Sequence, residues 1–274
     1  MKDKYTAVWV SHSSIGDYLK CPRAYFLKNV YRDPKTNHKV MLMQPPLALG
    51  QAVHDVIDSL STLAADERFA QSLADRFEAS WKQIAGKLGG FQNNEEEEKF
   101  KKRGLAMIKR VMDHPGPLVK KAIKIRQELP YFWLSEEDNI ILCGKIDWLE
   151  YVQESDSVHI IDFKTGKFDE DGDSLQLPIY YLLASACQTK PVARASYWYL
   201  DRDDKPMEMQ LPKKEEAQKR VVEIAKKIAL ARKLERFVCH QNDGCRACRP
   251  YEAILSGGAQ FVGVGGYNQD IYVL

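Results

Sequence analysis

Asp162 and Lys164 flank Phe163 at the end of the apolar stretch Val158-His159-Ile160-Ile161, and Asp147 stands fifteen residues upstream in Gly144-Lys145-Ile146-Asp147. Side chains two apart on a strand share a face, so Asp162 and Lys164 are expected to enter one cleft while Phe163 turns to the core behind it. The segment holding Asp147 alternates in the same way, with Leu142, Ile146 and Trp148 suited to one face and Cys143, Lys145 and Asp147 to the other. Two neighbouring strands would join two carboxylates and an ammonium. Carboxylate oxygens suit hard divalent ions such as magnesium and manganese, which keep water in several coordination positions. Such an ion lowers the pKa of its water and polarises a phosphate, and a nearby lysine orients that water or takes up charge developing on phosphorus. This is the minimum set for metal-dependent cleavage of a phosphodiester. As a bare triplet with an upstream Asp, it equally describes surface charge at strand ends.

Further residues stand in a telling order around this set. Gly50-Gln51-Ala52-Val53-His54 is expected to open a helix, because Leu49, Val53, Val56, Leu60 and Leu63 recur at helical spacing. His54 lies off that apolar stripe, a place that also suits a solvated or hydrogen-bonded structural histidine. Downstream, Gln176 and Tyr180 stand four apart and share a face if the segment is helical. Pro178 restricts that segment to a first helical turn or a kink.

In this order the motifs resemble those of PD-(D/E)XK nucleases of the RecB/AddB type, a group that includes the iron-sulfur exonucleases of CRISPR adaptation. The likeness runs from Ser11 to about Pro250. Gly50 to His54 matches the family's G-x-x-x-H, Gly144 to Asp147 its G-x-x-D, Asp162 to Gly166 its D-x-K-T-G, and Gln176 to Tyr180 its Q-x-x-x-Y. The resemblance implies that His54, Asp147 and Asp162 hold magnesium or manganese with help from the Phe163 carbonyl. It makes Lys164 the catalytic lysine and has Gln176 and Tyr180 contact or position the nucleic-acid strand. Glu128, in Glu128-Leu129-Pro130-Tyr131, resembles an acidic position ahead of the G-x-x-D strand and would join the catalytic group; a solvated Glu at a strand edge fits it as well.

Cysteines form a second signal. Cys21, followed by Pro22, Arg23, Tyr25 and Phe26, resembles the segment that supplies the lone first ligand of a 4Fe-4S cluster in the iron-sulfur members. Cys239, Cys245 and Cys248 would supply the other three, stapling the two ends of the domain together. Sulfur ligands suit iron-sulfur or zinc, not magnesium. The chain departs from the family in order, since the family's third late cysteine follows its C-x-x-C, whereas position 254 here is Ile and Cys239 lies upstream. A structural zinc in a four-cysteine site is therefore the alternative. Cys143 and Cys187 lie in apolar runs and read as buried small hydrophobes.

At 274 residues, 45% hydrophobic and 28% charged, the chain is long enough to bury a sizeable core. The expected class is α/β: a restriction-endonuclease-like mixed central sheet flanked by helices, with a helical insertion and a cysteine metal staple joining the N- and C-terminal regions. One nuclease domain is expected over 1–255, with the insertion at about 58–125 and the cysteine region at 21 and 239–248. The Gly- and Tyr-rich stretch 256–274 reads as a loosely held tail. Strands are predicted at 124–134, 139–151, 158–164 and 193–200, and helices at 174–188 and 213–236.

Net charge is only +2, so global charge does not advertise a nucleic-acid partner. On the last helix, Lys219, Lys226 and Lys233 recur every seven positions beside Arg220 and Lys227, which reads as phosphate tracking or as a solvated face. The polar start Met1-Lys2-Asp3-Lys4 and the lack of a long apolar run predict neither a signal peptide nor a membrane span, hence a cytoplasmic setting. With no Walker-type motif, any helicase belongs to another chain. The resemblance implies a metal-dependent deoxyribonuclease, an exonuclease on single-stranded DNA ends. It would serve DNA repair and recombination or CRISPR adaptation, with a helicase or a CRISPR integrase supplied separately. The alternative is a catalytically weak nucleic-acid-binding or scaffold subunit of such a complex.

Overall fold

The computed structural model describes residues 3–274; Met1 and Lys2, part of the polar start read above, lie outside them. Strand β1 (Val8–Val10) leads into α1 (His12–Lys20). The Ser11 hydroxyl accepts the Ser14 amide, and the Ser14 hydroxyl accepts the Ser11 amide, so two otherwise orphaned donors are satisfied at the start of α1. Helix α2 (Pro22–Tyr25) begins directly after Cys21 and continues as a π-helical turn to Val30. After β2 (Lys39–Leu42), the pair Pro45-Pro46 opens α3 (Pro45–Leu60), where a missing amide costs nothing. Helices α4 (Leu73–Trp81) and α5 (Asn94–Asp113) follow, capped by the side chains of Ser72 and Asn93.

Next come β3 (Tyr131–Ser135), β4 (Ile140–Cys143), β5 (Trp148–Val152) and β6 (Ser157–Lys164). Helix α6 (Gln176–Cys187) crosses over to β7 (Val192–Tyr199), which turns back as β8 (Met207–Met209) before α7 (Lys214–Lys233). Helix α8 (Arg249–Leu255) and strands β9 (Gln260–Gly265) and β10 (Gln269–Val273) complete the chain.

The sheet that positions the site has the order β5-β6-β7-β8, with β6 antiparallel to β5 and parallel to β7. Alternation along its strands separates two cores. Trp148, Ile161, Phe163 and Trp198 face α3, α4 and α5, while Leu149, Ile160, Ala195 and Tyr197 pack with α6 and α7. Asp162 and Lys164 fall on the α6 side and Phe163 on the other, as strand periodicity requires. Helices on both faces of a mixed sheet give the expected α/β class. Two smaller sheets, β1-β4-β3 and β2-β10-β9, flank this layer.

Several expected boundaries shift for physical reasons. Helix α3 starts at Pro45, so Gly50 lies inside it; a Cβ there would come within 3.3 Å of the Thr165 hydroxyl, and glycine lets the helix pass close to the loop after β6. The segment 139–151 is two strands, because Gly144–Asp147 forms a turn between sheets. Of 124–134 only the end is strand, and the preceding backbone runs beside β5 through the Ala122–Glu150 bridge. The region 58–125 is not helical throughout, since α4 and α5 are joined and followed by turns and irregular backbone.

The stretch 256–274 is not a loose tail: β9 and β10 form a hairpin, β10 pairs in parallel with β2, and Asp270 and Ile271 are buried. Buried Asp270 is held by the Thr36 hydroxyl at 2.8 Å and by His38 Nδ1 at 2.7 Å.

Helix α7 buries Ala217, Val221, Ala225 and Ile228 against the core and leaves its basic residues outside. Among those engaged, Lys226 pairs with Asp138 at 3.0 Å, the Arg220 guanidinium donates to the Asp173 carbonyl at 2.8 Å, and that of Arg232 donates to the Tyr25 hydroxyl at 3.5 Å.

Candidate active site

Four elements converge at the C-terminal end of β6. Asp162 brings a carboxylate that is almost wholly buried; its Oδ1 accepts from Gln176 Nε2 at 2.7 Å. Lys164 Nζ stands 3.0 Å from Asp162 Oδ2 but off the direction of a hydrogen bond, leaving that buried oxygen without an aligned donor. Asp147, in the turn entering β5, accepts the Phe163 amide at 3.0 Å, and the same oxygen lies 3.5 Å from Nδ1 of His54 on α3. The amide and carbonyl of one strand residue point toward the same neighbouring strand, so the Phe163 carbonyl faces the Asp147 side.

Charge sharpens the picture. Burial pushes Asp147 up to about 7, helped by the charge of Asp58 and opposed by the Phe163 amide. Burial, then the neighbouring Asp147, pushes Asp162 up to about 7 as well. Burial holds His54 below the ordinary imidazole range, in the neutral form that a metal ligand needs. Burial also pulls the Lys164 ammonium down, but Asp162 and Glu170 more than offset it and its pKa is raised. Two crowded carboxylates, a neutral imidazole and a buried oxygen lacking a donor fit a hard divalent ion, which would relieve the repulsion and satisfy that oxygen.

Gln176 and Tyr180 stand where one helical face puts them. The Gln176 side chain spans the site, its carbonyl taking a hydrogen bond from Lys164 Nζ and its amide donating to Asp162 Oδ1 and, at 3.3 Å, to the Tyr180 hydroxyl. Its direct partners are thus the candidate catalytic lysine and carboxylate themselves. Glu128 is not brought to the carboxylates. It is exposed in the irregular segment before β3, makes no hydrogen bond or ion pair with them, and only shares with Asp58, Lys145 and Asp147 the lining of a cavity of about 550 Å³.

Other residues of the site gave no signal in the sequence. Glu170 Oε2 lies 3.0 Å from Lys164 Nζ, while the Glu170 amide donates to the Tyr199 hydroxyl at 2.8 Å. It sits in the acidic run Asp169-Glu170-Asp171, which composition assigns to solvent. Tyr197 offers its ring face to Lys164 Nζ at 4.9 Å, and Asp58, one turn after His54, holds Lys145. Because Glu170 is a second carboxylate holding Lys164 Nζ, beside Asp162, Glu170→Ala is expected to lower kcat about tenfold with little change in KM. Steady-state kinetics showing an unaltered kcat would remove Glu170 from this role.

The cysteines behave as the spacing suggested. The sulfurs of Cys21, Cys239, Cys245 and Cys248 all lie within 4.8 Å of one another, with Cys245 and Cys248 3.8 Å apart. Cys21 sits at the α1–α2 junction and Cys248 at the start of α8, so chain ends meet there. The Cys248 amide, aided by that of Ala247, holds the Cys245 thiol down at about 6, whereas burial pushes Cys21 up to about 12. Sulfur donors this close, served by amides, can hold a metal centre. Cys143 and Cys187 lie outside the cluster; burial pushes Cys143 up to about 11, as for an inert core thiol.

A mixed sheet ending in a buried carboxylate pair, a lysine and a histidine defines a class of metal-dependent hydrolytic site. The family model of the PD-(D/E)XK nuclease superfamily matches residues 9–254, and the chain belongs to that superfamily, whose members are generally metal-dependent nucleases. No curated protein matches the chain.

Proposed function

We propose that the protein is a magnesium- or manganese-dependent deoxyribonuclease of the RecB/AddB type that acts as an exonuclease on single-stranded ends. The observation that carries this reading is the convergence of Asp147, Asp162, His54 and Lys164 at one sheet end, with Glu128 alone of the expected catalytic group standing apart. A retained and mutually supported set favours an enzyme over a catalytically weak binding or scaffold subunit. His54, Asp147, Asp162 and the Phe163 carbonyl would hold the divalent ion. When bound, it would polarise the scissile phosphate and ease ionisation of a water. Lys164, locked by Asp162, Glu170 and Gln176, would orient that water or take up charge on the phosphate. Gln176, backed by the Tyr180 hydroxyl, would hold Lys164 and Asp162 in place, and the two would thereby contact or position the strand.

No helix among the described residues is long and apolar enough to cross a membrane. A cytoplasmic setting belongs to the same proposal. DNA repair, recombination or CRISPR adaptation are the settings proposed for it, with a helicase or an integrase as a separate chain.

For the cysteine centre, the sulfur spacing supports a single zinc over the 4Fe-4S cluster. Four sulfurs about 2.3 Å from one zinc lie roughly 3.8 Å apart, whereas a cube with one iron behind each sulfur widens that to roughly 6 Å. The separations of 3.8 Å and at most 4.8 Å lie nearer the first figure.

End-labelled single- and double-stranded DNA and RNA, incubated with the protein in magnesium, manganese or EDTA, test the activity. Mononucleotide or short products from single-stranded DNA in either metal, and none in EDTA, are expected. Binding without cleavage in both metals would transfer the protein to the binding-subunit reading.

Protons and metal compete for the same carboxylates. With both pushed up to about 7, divalent metal should raise the melting temperature clearly more at pH 8 than at pH 6. Equal shifts at the two pH values, measured by scanning calorimetry, would place the ion elsewhere.

A further inference from the structure

The loop between β6 and α6 holds an aromatic ring in solvent a few residues after the candidate catalytic lysine. Phe168 is 87% exposed. The loop around it is not slack. Arg103 donates to the Thr165 carbonyl at 3.2 Å, Arg202 donates to the Lys167 carbonyl at 3.2 Å and pairs with Asp169, and the Glu170 amide donates to the Tyr199 hydroxyl at 2.8 Å. The Arg202 guanidinium in turn lies over the Tyr199 ring at 4.1 Å. These anchors stand on both sides of Phe168 and fix the backbone that carries the ring. Tyr5 and Tyr267 are comparably exposed, but they sit in the N-terminal turn and at the tip of the β9–β10 hairpin.

Position gives the ring a partner. Glu170, two residues on, touches Lys164, so the Phe168 Cα lies within roughly 7 Å of the Glu170 Cα. Successive bases on a strand are spaced by roughly 3.4 Å, so a strand whose phosphate is held at Asp147 and Asp162 passes this loop within a few nucleotides. Lys167, adjacent and exposed, offers an ammonium at the same place. We propose that Phe168 is a stacking platform for one unpaired base of the substrate strand, with Lys167 against the adjoining phosphate. The proposal rests on the nuclease reading and deepens it. A free ring face accepts any base but needs a base whose own face is free, so the platform selects unwound strands without reading sequence.

The test uses single-stranded DNA carrying 2-aminopurine at successive positions near the end, bound to the full chain in EDTA. Fluorescence should be quenched at one or two adjacent positions, keep its quenching in Phe168→Trp and lose it in Phe168→Ala. In magnesium, Phe168→Ala should raise KM about tenfold with a much smaller change in kcat. An abasic site at the quenched position should cost the wild type the same factor and cost Phe168→Ala nothing further. If Phe168→Ala cuts intact and abasic strands with wild-type KM, the platform is overturned. If the wild type neither binds nor cuts any strand, the nuclease reading itself fails and takes the platform with it, a result visible before any variant is made.

Discussion

Asp162→Asn is expected to abolish metal-dependent cleavage and, in the same molecule, to raise the melting temperature of the metal-free protein at pH 8. The two effects share one cause. Asp162 is pushed up to about 7 in the fold against an ordinary value of 3.8, chiefly by burial and then by Asp147. As pH rises from about 4 to 7, the unfolded chain therefore releases the proton before the folded chain does, and folding stability falls across that window. Above about 7 the full penalty stands; below about 4 it is absent. Asparagine keeps the shape and, through its Oδ1, the hydrogen bond from Gln176 while removing the charge, which should recover roughly 3–4 kcal/mol at pH 8, the equivalent of two to three pKa units. Lys164→Ala should be equally inactive, by about a thousandfold or more, yet less stable than wild type at pH 8, because it leaves Asp162 and Glu170 without their cation. Opposite stability changes with a common loss of activity cannot arise from unfolding. Activity assays with calorimetry at pH 5 and pH 8 decide it: an active Lys164→Ala would sink the mechanism, and an Asp162→Asn no more stable than wild type at pH 8 would contradict the buried carboxylate pair.

How much of this was legible in the sequence follows from which forces are local. Strand periodicity put Asp162 and Lys164 on one face and Phe163 behind them, and helical spacing put Gln176 beneath Tyr180; each needed only neighbours in the chain. Asp147 reaches the site, though from a turn: the chain leaves one sheet for another between Cys143 and Trp148, and alternation alone cannot register that change. Glu170 was invisible because an acid among acids in a loop reads as solvated, and only the fold brings it to Lys164. The same limit hid the final hairpin. Its turn spans three residues between the paired Gly265 and Gln269, with Tyr267 and Asn268 at positive φ, but β10 is secured by pairing with β2 from the other end of the chain. The cysteine set was legible as a count and a spacing, and the separations between its sulfurs were not.

Cys21→Ser should therefore be the most destructive substitution remote from the carboxylates. Cys21 and Cys239 enclose most of the chain, and closing so long a loop restricts the unfolded ensemble by on the order of 5 kcal/mol, to which metal binding adds its own share. Loss of one of four ligands should strip the metal, lower the melting temperature by ten degrees or more, and leave the catalytic residues chemically intact. Cys187→Ser, outside the cluster, serves as the control and should change neither metal content nor melting temperature appreciably. Protein purified without oxygen and analysed for metals should carry one zinc per chain and no visible absorbance. A brown protein with about four irons would restore the 4Fe-4S cluster and require the sulfurs to spread on binding it; wild-type metal content in Cys21→Ser would instead break the link between the chain ends.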